Sequence, residues 1–277
     1  MVKSPFRYPG GKSKSSISSW ILSYKPETVH EYREPFVGGG GVFFAMPRCR
    51  REWLNDKNAG LISVYKVLRD CPEQFIAMCR MIPPARPDEP TVTKPKGKTP
   101  YNARLGDVFE MVLESPELHP AFRYYFINRC GFGGRVNYAL PSRLYYSNPE
   151  GWSIVETDIL EKAADRLHGV KLTCHDFEKC LAAKGKNVWI YCDSPYWKDT
   201  EHDKGSKLYE HGFTAADHAR LAKAVRKCPH KVAVSYHDDP RVRQVYEGLR
   251  IIDNAWTYSG TRQVEKSEGR ELLILNY

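Results

Sequence analysis

The chain has 277 residues, with 42 Lys and Arg against 33 Asp and Glu, which gives a net charge of +9 at pH 7. This length supports one large domain or two of ordinary size, and the basic excess favours a polyanionic partner such as nucleic acid. Eight cysteines without a Cys-x-x-Cys pair, a start without an apolar signal region and the lack of a long apolar run predict a cytoplasmic protein without structural metal, disulfides or membrane span.

The first predicted strand covers residues 28–35. It leads into four consecutive glycines, Gly38 to Gly41, and then into the apolar start of a helix at Val42. Strand, glycine loop and helix in this order are typical of the phosphate or nucleoside grip of doubly wound α/β folds. A second short strand ends at Asp56, and the apolar residues of segment 59–68 recur at helical spacing.

The composition changes in the middle of the chain. Six prolines between Pro83 and Pro100, interleaved with Lys94, Lys96 and Lys98, predict a loop, since neither a helix interior nor a central strand tolerates them. The loop belongs to a basic, aromatic-rich region, residues 70–165. We interpret this region as an insertion.

Strands and helices alternate again after the insertion. Strands are predicted near residues 170–174, 187–192, 231–236, 250–257 and 271–276, and a helix over 215–227 has Thr214 as its predicted N-cap. The order predicts an α/β fold in which segments 1–69 and 166–277 form one domain and residues 70–165 another.

The apolar run 188–192 is typical of a buried parallel strand, and ligands bind at the carboxyl ends of such strands. It ends in Asp193-Ser194-Pro195-Tyr196. An exocyclic purine amine is a poor nucleophile, so an enzyme must accept its hydrogens, and a carboxylate (Asp193) and a backbone carbonyl (Ser194) can do so. Pro195 would stiffen the turn, and Tyr196 offers an aromatic face to a flipped base. An ordinary β-turn is the alternative interpretation.

Several motifs resemble, in order and spacing, those of the Dam-type (D12 class, α-group) DNA adenine-N6 methyltransferases. They are Phe6-Arg7-Tyr8-Pro9-Gly10-Gly11-Lys12, Glu34-Pro35-Phe36-Val37-Gly38-Gly39-Gly40, Asn128-Arg129-Cys130-Gly131-Phe132-Gly133-Gly134-Arg135 and Asp193-Ser194-Pro195-Tyr196. The resemblance implies a Rossmann-like S-adenosylmethionine-dependent methyltransferase domain with an inserted, mainly helical target-recognition domain. It further implies double-stranded DNA as substrate, a flipped-out adenine and a bacterial or phage-infected cell. We take a monomer as the default.

The resemblance also implies the residues of an S-adenosylmethionine site. Asp56 would accept hydrogen bonds from the ribose hydroxyls, and Asp176 and Phe177 would meet the adenine ring. A solvated surface charge for Lys12 and a plain core position for Phe177 stay open as alternatives. The full set is Tyr8, Gly10, Gly11, Lys12, Glu34, Pro35, Phe36, Gly38, Gly39, Asp56, Asp176, Phe177 and Asp193.

Within the insertion, arginine side chains are suited to guanine and asparagine side chains to adenine. For each candidate taken singly, a surface or core role is equally open. Gly133 stands where relatives carry asparagine, so the recognised DNA sequence cannot be transferred from them. Ser194 stands where relatives carry proline, a change that the catalytic turn should tolerate because this position contributes chiefly its carbonyl. The candidates are Arg123, Asn128, Arg129, Arg135, Asn137 and Tyr138.

Four other functions fit part of the pattern. Methylation of cytosine N4 or of RNA adenine would use the same chemistry. Between cytosine N4 and adenine N6, Asp193 favours adenine. A non-catalytic DNA-binding module would need the same basic charge. A nicotinamide dehydrogenase would need a third loop glycine where this chain has Phe43.

Overall fold

The computed structural model describes residues 2–7, 12, 15–93, 101–136, 138, 149–197, 213–257 and 268–277. The strands are β1 (Glu31–Glu34), β2 (Arg51–Asn55), β3 (Thr91–Val92), β4 (Tyr101–Asn102), β5 (Lys171–Thr173), β6 (Val188–Asp193), β7 (Lys231–His237), β8 (Arg250–Thr257) and β9 (Glu268–Leu275). The helices are α1 (Ser15–Ser23), α2 (Gly41–Ala45), α3 (Ala59–Asp70), α4 (Pro72–Arg80), α5 (Ala103–Glu114), α6 (Pro120–Cys130), α7 (Ile159–Leu167), α8 (Phe177–Ala182), α9 (Ala215–Lys227) and α10 (Pro240–Val245).

Seven of the described strands form one sheet in the order β5-β2-β1-β6-β7-β9-β8. The pairs among β5, β2, β1, β6 and β7 are parallel, whereas β9 runs antiparallel to both β7 and β8. The carboxyl ends of the parallel strands therefore share one edge of the sheet. The amino-terminal part of β9 reaches the same edge, since Glu271 is the register partner of His237 at the end of β7. The predicted Rossmann-like α/β fold is confirmed.

Side chains of the sheet alternate between two apolar cores. On β6, Trp189 and Tyr191 pack into one core, and Val188, Ile190 and Cys192 pack into the other. Because successive strand residues point to opposite faces, Asp193 lies on the face of Tyr191. Ser235 on β7 and Glu271 on β9 lie on that same face, since their strand neighbours Val234 and Leu272 belong to the opposite core. Register and alternation thus bring three polar residues together.

The glycine loop follows β1 as predicted. Gly40 has a left-handed φ of 65°, and a Cβ at this position would stand 2.8 Å from the Tyr65 hydroxyl oxygen. Glycine is therefore required there, because only glycine combines this backbone conformation with so close a contact. Helix α3 begins after Asn58, whose side chain accepts a hydrogen bond from the Leu61 amide.

The middle region is mainly helical, but one expectation for it was wrong in part. Within the segment predicted to be a loop, Thr91–Val92 forms a two-residue strand that pairs with Tyr101–Asn102. Such a short isolated pair tolerates flanking prolines that a central strand would not. Lys94, Lys96 and Lys98 lie outside the described residues.

The middle region is not packed as a separate body. Tyr125 and Trp152 from this region lie in the same core as Tyr32 and Trp189 of the sheet. The predicted borders at residues 69/70 and 165/166 fall inside α3 and α7. Arg166 of α7 also binds both carboxylate oxygens of Glu52 on β2, at 2.6 and 2.7 Å. The insertion therefore shares its junction helices and its core with the sheet.

The second half of the chain follows the predicted order of elements. The strands predicted there are present as β5 to β9, and Thr214 caps α9 in a reciprocal capping box with Asp217. Among the residues that the structure describes, no helix is long and apolar enough to span a membrane.

Candidate active site

The turn after β6 carries the residues expected to act on the substrate. Asp193 ends the strand, and its side chain keeps 26% of its surface exposed. The Ser235 hydroxyl donates a 3.1 Å hydrogen bond to Asp193 Oδ1, and Ser235 Oγ in turn lies 2.8 Å from the Tyr191 hydroxyl. These contacts hold one carboxylate oxygen on the side of the core, while part of the carboxyl group stays accessible to solvent.

Lys12 crosses from the N-terminal segment into this turn. Its side chain is 3% exposed, and its Nζ lies 3.0 Å from Asp193 Oδ1 and 2.9 Å from Glu271 Oε1. It also donates a 2.6 Å hydrogen bond to the Tyr196 hydroxyl. Burial lowers the pKa of Lys12, but the nearby carboxylates and tyrosines outweigh it and raise the pKa well above the ordinary value. Lys12 is thus a buried cation of the site, and the surface-charge alternative was wrong.

Glu271 is a site residue that we did not predict. The Tyr196 hydroxyl donates to both of its carboxylate oxygens at 3.1 Å, and Glu271 is almost fully buried. Burial raises the pKa of Glu271 to about 7, against the opposing effect of Lys12. A charged residue directly before the apolar run of β9 is the sequence signal that could have identified it, since a buried charge needs a partner.

Glu34 lies at the end of β1, below the glycine loop. The carboxyl group is 2% exposed and accepts hydrogen bonds from the Tyr32 hydroxyl and the Phe43 backbone. Burial raises the pKa of Glu34 to about 8, although the bond from Tyr32 lowers it. Pro35 is held by the Asn55 amide, which donates to the Pro35 carbonyl at 2.9 Å. The predicted motif thus forms a compact turn over the core.

Asp56 ties the glycine loop to the end of β2. One of its oxygens accepts the Gly38 amide at 3.0 Å and the other accepts the Asn58 amide at 2.9 Å. Tyr65 donates to the Gly38 carbonyl at 3.0 Å, and Ser4 donates to the Gly39 carbonyl. Asp56 therefore organises the loop in addition to any contact with a ligand.

Three phenylalanines meet beside the loop. The ring centroid of Phe36 lies 5.4 Å from the ring centroid of Phe177 and 5.7 Å from that of Phe213. Asp176 caps α8 and binds Arg220 through both oxygens at 2.9 Å, and the guanidinium of Arg220 covers Phe177 at 4.9 Å. Phe177 is 5% exposed, so its core role is established, and its cofactor role stays a prediction.

Three of the proposed DNA-binding residues have structural partners. Arg123 donates to the carbonyls of Val112 and Leu113 at the end of α5. Arg129 donates to the carbonyls of Gly151 and Pro5. Asn128 is fully buried.

The carboxamide of Asn128 is bonded to the backbone on both sides. It accepts the Arg7 amide at 3.1 Å and donates to the carbonyls of Arg7 and Gly134 at 2.6 and 2.8 Å. Arg7 in turn donates through its guanidinium to the Arg129 and Gly131 carbonyls. These contacts favour a structural role for Asn128 over the predicted base contact.

The remaining described candidates, Arg135 and Tyr138, are half-buried. The Arg135 guanidinium covers the Phe132 ring at 5.2 Å, and Phe132 is 44% exposed. Arg123 covers the Tyr138 ring at 4.2 Å. Within this group, Arg135 has the placement that fits DNA contact best. The predicted residues Tyr8, Gly10, Gly11 and Asn137 lie outside the described residues.

Taken together, the carboxyl edge of the sheet carries a partly open carboxylate, a buried cation, a glycine loop and an aromatic cluster. Ser194 is 2% exposed, so its side chain points inward. No group of three or more side chains that could hold a metal ion occurs among the residues whose placement is described. The arrangement suits a reaction in which a carboxylate accepts hydrogens from a polar nucleophile.

The comparisons with known proteins agree on one family. A family model described as D12 class N6 adenine-specific DNA methyltransferase matches residues 8–259. The chain is 25% identical over 283 residues to a type II methyltransferase of Lactococcus lactis subsp. cremoris, with 99% of this chain and 95% of the relative covered. It is 26% identical to a type II methyltransferase of Methanocaldococcus jannaschii (100% and 99% covered) and 25% identical to a DNA adenine methylase of Vibrio cholerae (88% and 85% covered).

Proposed function

Because the chain belongs to the D12 class N6 adenine-specific DNA methyltransferases, we propose that Asp193, Ser194, Pro195 and Tyr196 form its catalytic turn and that the methyl donor is S-adenosylmethionine. The reaction is methylation of the N6 amine of adenine in DNA, as the family is defined. The observation that carries the assignment to this turn is the placement of Asp193. It is a partly exposed carboxylate at the carboxyl edge, held by Ser235 and Lys12.

The residues around the turn fit S-adenosylmethionine. The glycine loop gives close backbone approach, and Gly40 leaves no space for a Cβ. Asp56 lies at the end of the second strand, where acidic residues meet ribose hydroxyls, and Phe36 and Phe177 offer apolar surface for an adenine ring. When bound, the cofactor supplies an electrophilic methyl group on a positively charged sulfur.

Asp193 acts on the amine that attacks this methyl group. In our proposal the Asp193 carboxylate and the Ser194 carbonyl accept the two N6 hydrogens, which orients the nitrogen lone pair toward the methyl. As the bond from the nitrogen to the methyl carbon forms and the bond from that carbon to sulfur breaks, the nitrogen would gain positive charge, and a fixed negative group stabilises that charge most when it is greatest. The methylated amine would then lose one proton, which the Asp193 carboxylate can accept and pass to solvent. Tyr196 stacks on the adenine, which is rotated out of a DNA duplex because its amine is otherwise buried in the base stack.

The middle region, residues 70–165, is proposed to recognise the target sequence. Its support is the exposed Phe132 on the loop after α6, whose ring is covered by the guanidinium of the half-buried Arg135. Arg7 fastens this loop to the N-terminal segment that carries Lys12. Arg7 and Lys12 are close in the sequence, so we propose that DNA bound at this loop extends toward the catalytic turn.

The test is the replacement of Asp193. Asp193→Ala should lower the single-turnover rate of methyl transfer by at least ~10²-fold, as expected for the loss of one well-placed electrostatic group. Asp193→Asn keeps the shape and one acceptor but loses the charge, so its rate should fall between those of the wild type and the alanine variant. The measurement is transfer of a labelled methyl group to a duplex that contains the unmethylated target site of the enzyme, at saturating cofactor and DNA.

Asp253→Asn is the matched control. It also removes one negative charge, but Asp253 lies on β8 in a surface pair with Arg243, so its rate should equal that of the wild type. Transfer by Asp193→Ala at close to the wild-type rate would refute the assignment of the catalytic turn. A wild-type protein that binds DNA tightly without transfer would favour a non-catalytic module.

A further inference from the structure

Glu271 stands behind the proposed catalytic turn and contacts both groups that surround Asp193. It lies 2.9 Å from the Lys12 ammonium and accepts the Tyr196 hydroxyl through both oxygens at 3.1 Å. Lys12 is shared, because the same ammonium lies 3.0 Å from Asp193 Oδ1. One buried cation thus stands between two carboxylates.

The charge count of this cluster decides how Asp193 is used. With both carboxylates ionised, Lys12 compensates only one of the two negative charges, and the cluster retains one negative charge. With Glu271 neutral, the ammonium is compensated by Asp193 alone, and the cluster has no net charge. A carboxylate fully engaged with an ammonium is a weaker acceptor for a further hydrogen-bond donor. The ionisation of Glu271 therefore sets how much of the Asp193 charge is free.

We propose that Glu271 is a positioning residue for methyl transfer, which holds Lys12 and the Tyr196 hydroxyl so that Asp193 stays available to the adenine amine. This inference rests on the proposed catalytic role of Asp193. In this proposal Glu271 itself touches neither the adenine nor the cofactor. The Tyr196 bond has a second effect, because a hydroxyl anchored at both Lys12 and Glu271 fixes the plane of the ring that stacks on the base.

The proposal makes the rate depend on pH. Glu271 has a pKa of about 7 through burial, so it is ionised above neutrality and protonated below. The active form is the ionised one, and the single-turnover rate should rise with pH through a midpoint near 7. Among the residues that the structure describes, the other titratable groups that face Glu271 are Lys12, Asp193, Tyr191, Tyr196 and, on β7, its register partner His237.

The experiment compares wild type and Glu271→Gln in single-turnover methyl transfer to duplex DNA from about pH 6 to about pH 9, with saturating cofactor. Glutamine keeps the size and an acceptor oxygen but is always neutral. The variant should therefore show a flat profile at the low-pH rate of the wild type, with a rate at least about tenfold lower at pH 8.5, as for a lost charge-assisted contact. The dissociation constant of S-adenosylmethionine should change by less than about threefold, since the residue acts on the amine side.

Two further variants separate Glu271 from its surroundings. In His237→Asn, the midpoint of the pH–rate profile should stay near 7. If the rate of His237→Asn did not depend on pH while Glu271→Gln kept the wild-type profile, the titration would belong to His237 and the proposal would be overturned. Glu271→Asp keeps the charge but shortens the side chain, so it should retain a pH-dependent rate at a lower plateau. If Glu271→Gln does not fold, Glu271→Asp replaces it in the test. A rate of Glu271→Asp that does not depend on pH would then refute the role of the charge.

The outcomes also separate the two proposals. A wild-type protein without methyl transfer at any pH would refute the proposed catalytic turn. A wild-type protein that transfers methyl groups, with Glu271→Gln equal to it at every pH, would refute the positioning role and leave the catalytic turn intact.

Discussion

Glu34 illustrates how strongly burial changes a single carboxyl group. Its pKa of about 8 lies above the ordinary value of 4.5, so the folded protein holds a proton that the unfolded chain releases between these two pH values. The folded state binds more protons in this window, and the free energy of unfolding must therefore fall as the pH rises through it. The sign is the reverse of that for an exposed, salt-bridged carboxylate.

Glu34→Gln should remove this dependence. Glutamine keeps an acceptor for the Tyr32 hydroxyl but cannot ionise, so the variant should gain stability relative to the wild type as the pH rises from about 5 to about 8, by up to ~1.4 kcal/mol per pH unit. Urea unfolding at several pH values measures it. Glu117→Gln, at an exposed position, is the control and should give a constant difference. A constant difference for Glu34→Gln as well would show that Glu34 is ionised in the folded protein.

The site residues differ in how far the sequence could predict them. Asp193 and Lys12 belong to local motifs, and both lie in the site. Glu271 and Ser235 were not predicted, because their contacts depend on strand pairing. Ser235 meets Asp193 through the parallel pairing of β6 with β7, and Glu271 reaches Lys12 and Tyr196 through the antiparallel pairing of β9 with β7. No local pattern encodes which strands become neighbours. The residues that the fold brings together from distant strands were therefore missed.

At the scale of elements, a buried asparagine helps to hold the loop after α6. Asn128 makes three hydrogen bonds to the backbone of Arg7 and Gly134. The left-handed Gly134 packs against the Arg7 backbone, where a Cβ would stand 2.7 Å from the carbonyl oxygen. The N-terminal segment and the loop thus form one unit.

Asn128→Ala should lower the free energy of unfolding by about 2–4 kcal/mol, because it leaves buried backbone groups without partners. The base preference of methylation should stay unchanged if Asn128 is structural. Arg135→Ala provides the contrast, with near wild-type stability and either weaker DNA binding or relaxed preference at one base. Chemical unfolding together with sequencing of methylated random duplexes measures both properties. Altered base preference in a stable Asn128→Ala variant would restore its predicted role in reading DNA.

Elements with strong local signals were predicted well. The glycine loop, helix α3 and the N-cap Thr214 each depend on side chains within a few residues of one another, and all are present. The pair of β3 and β4 was missed, because each strand has only two residues and its signal is hidden among prolines. Short strands are defined by their partner and not by their own pattern.

At the scale of the whole molecule, the fold class was predicted but the way the insertion packs was not. The change in composition between Pro83 and Pro100 predicted an insertion over residues 70–165, and aromatic side chains of this region lie in the core on one face of the sheet. Composition reports what a segment contains, whereas the core depends on which faces meet. The border of the proposed recognition region is therefore not a border of the core.

The net charge of +9 leads to a prediction for the whole protein. Contacts with phosphates release counterions, so the affinity for duplex DNA should fall by about tenfold or more between 50 and 200 mM salt. Binding of S-adenosylmethionine, measured over the same range by calorimetry, should change much less and serves as the control. An affinity for DNA that is constant over this range would refute the electrostatic part of the proposed DNA contact.

The place of β9 between β7 and β8 has a consequence for synthesis of the chain. Both neighbours leave the ribosome before β9 does, and each exposes an unpaired strand edge until β9 is complete. The edge of β7 carries Val232, Val234 and Tyr236, which are fully buried in the finished protein. Such an edge invites pairing with other chains. The strand that ends this period of aggregation risk is also the one that brings Glu271 to Lys12, so the sheet closes and the charged cluster is completed in the same step.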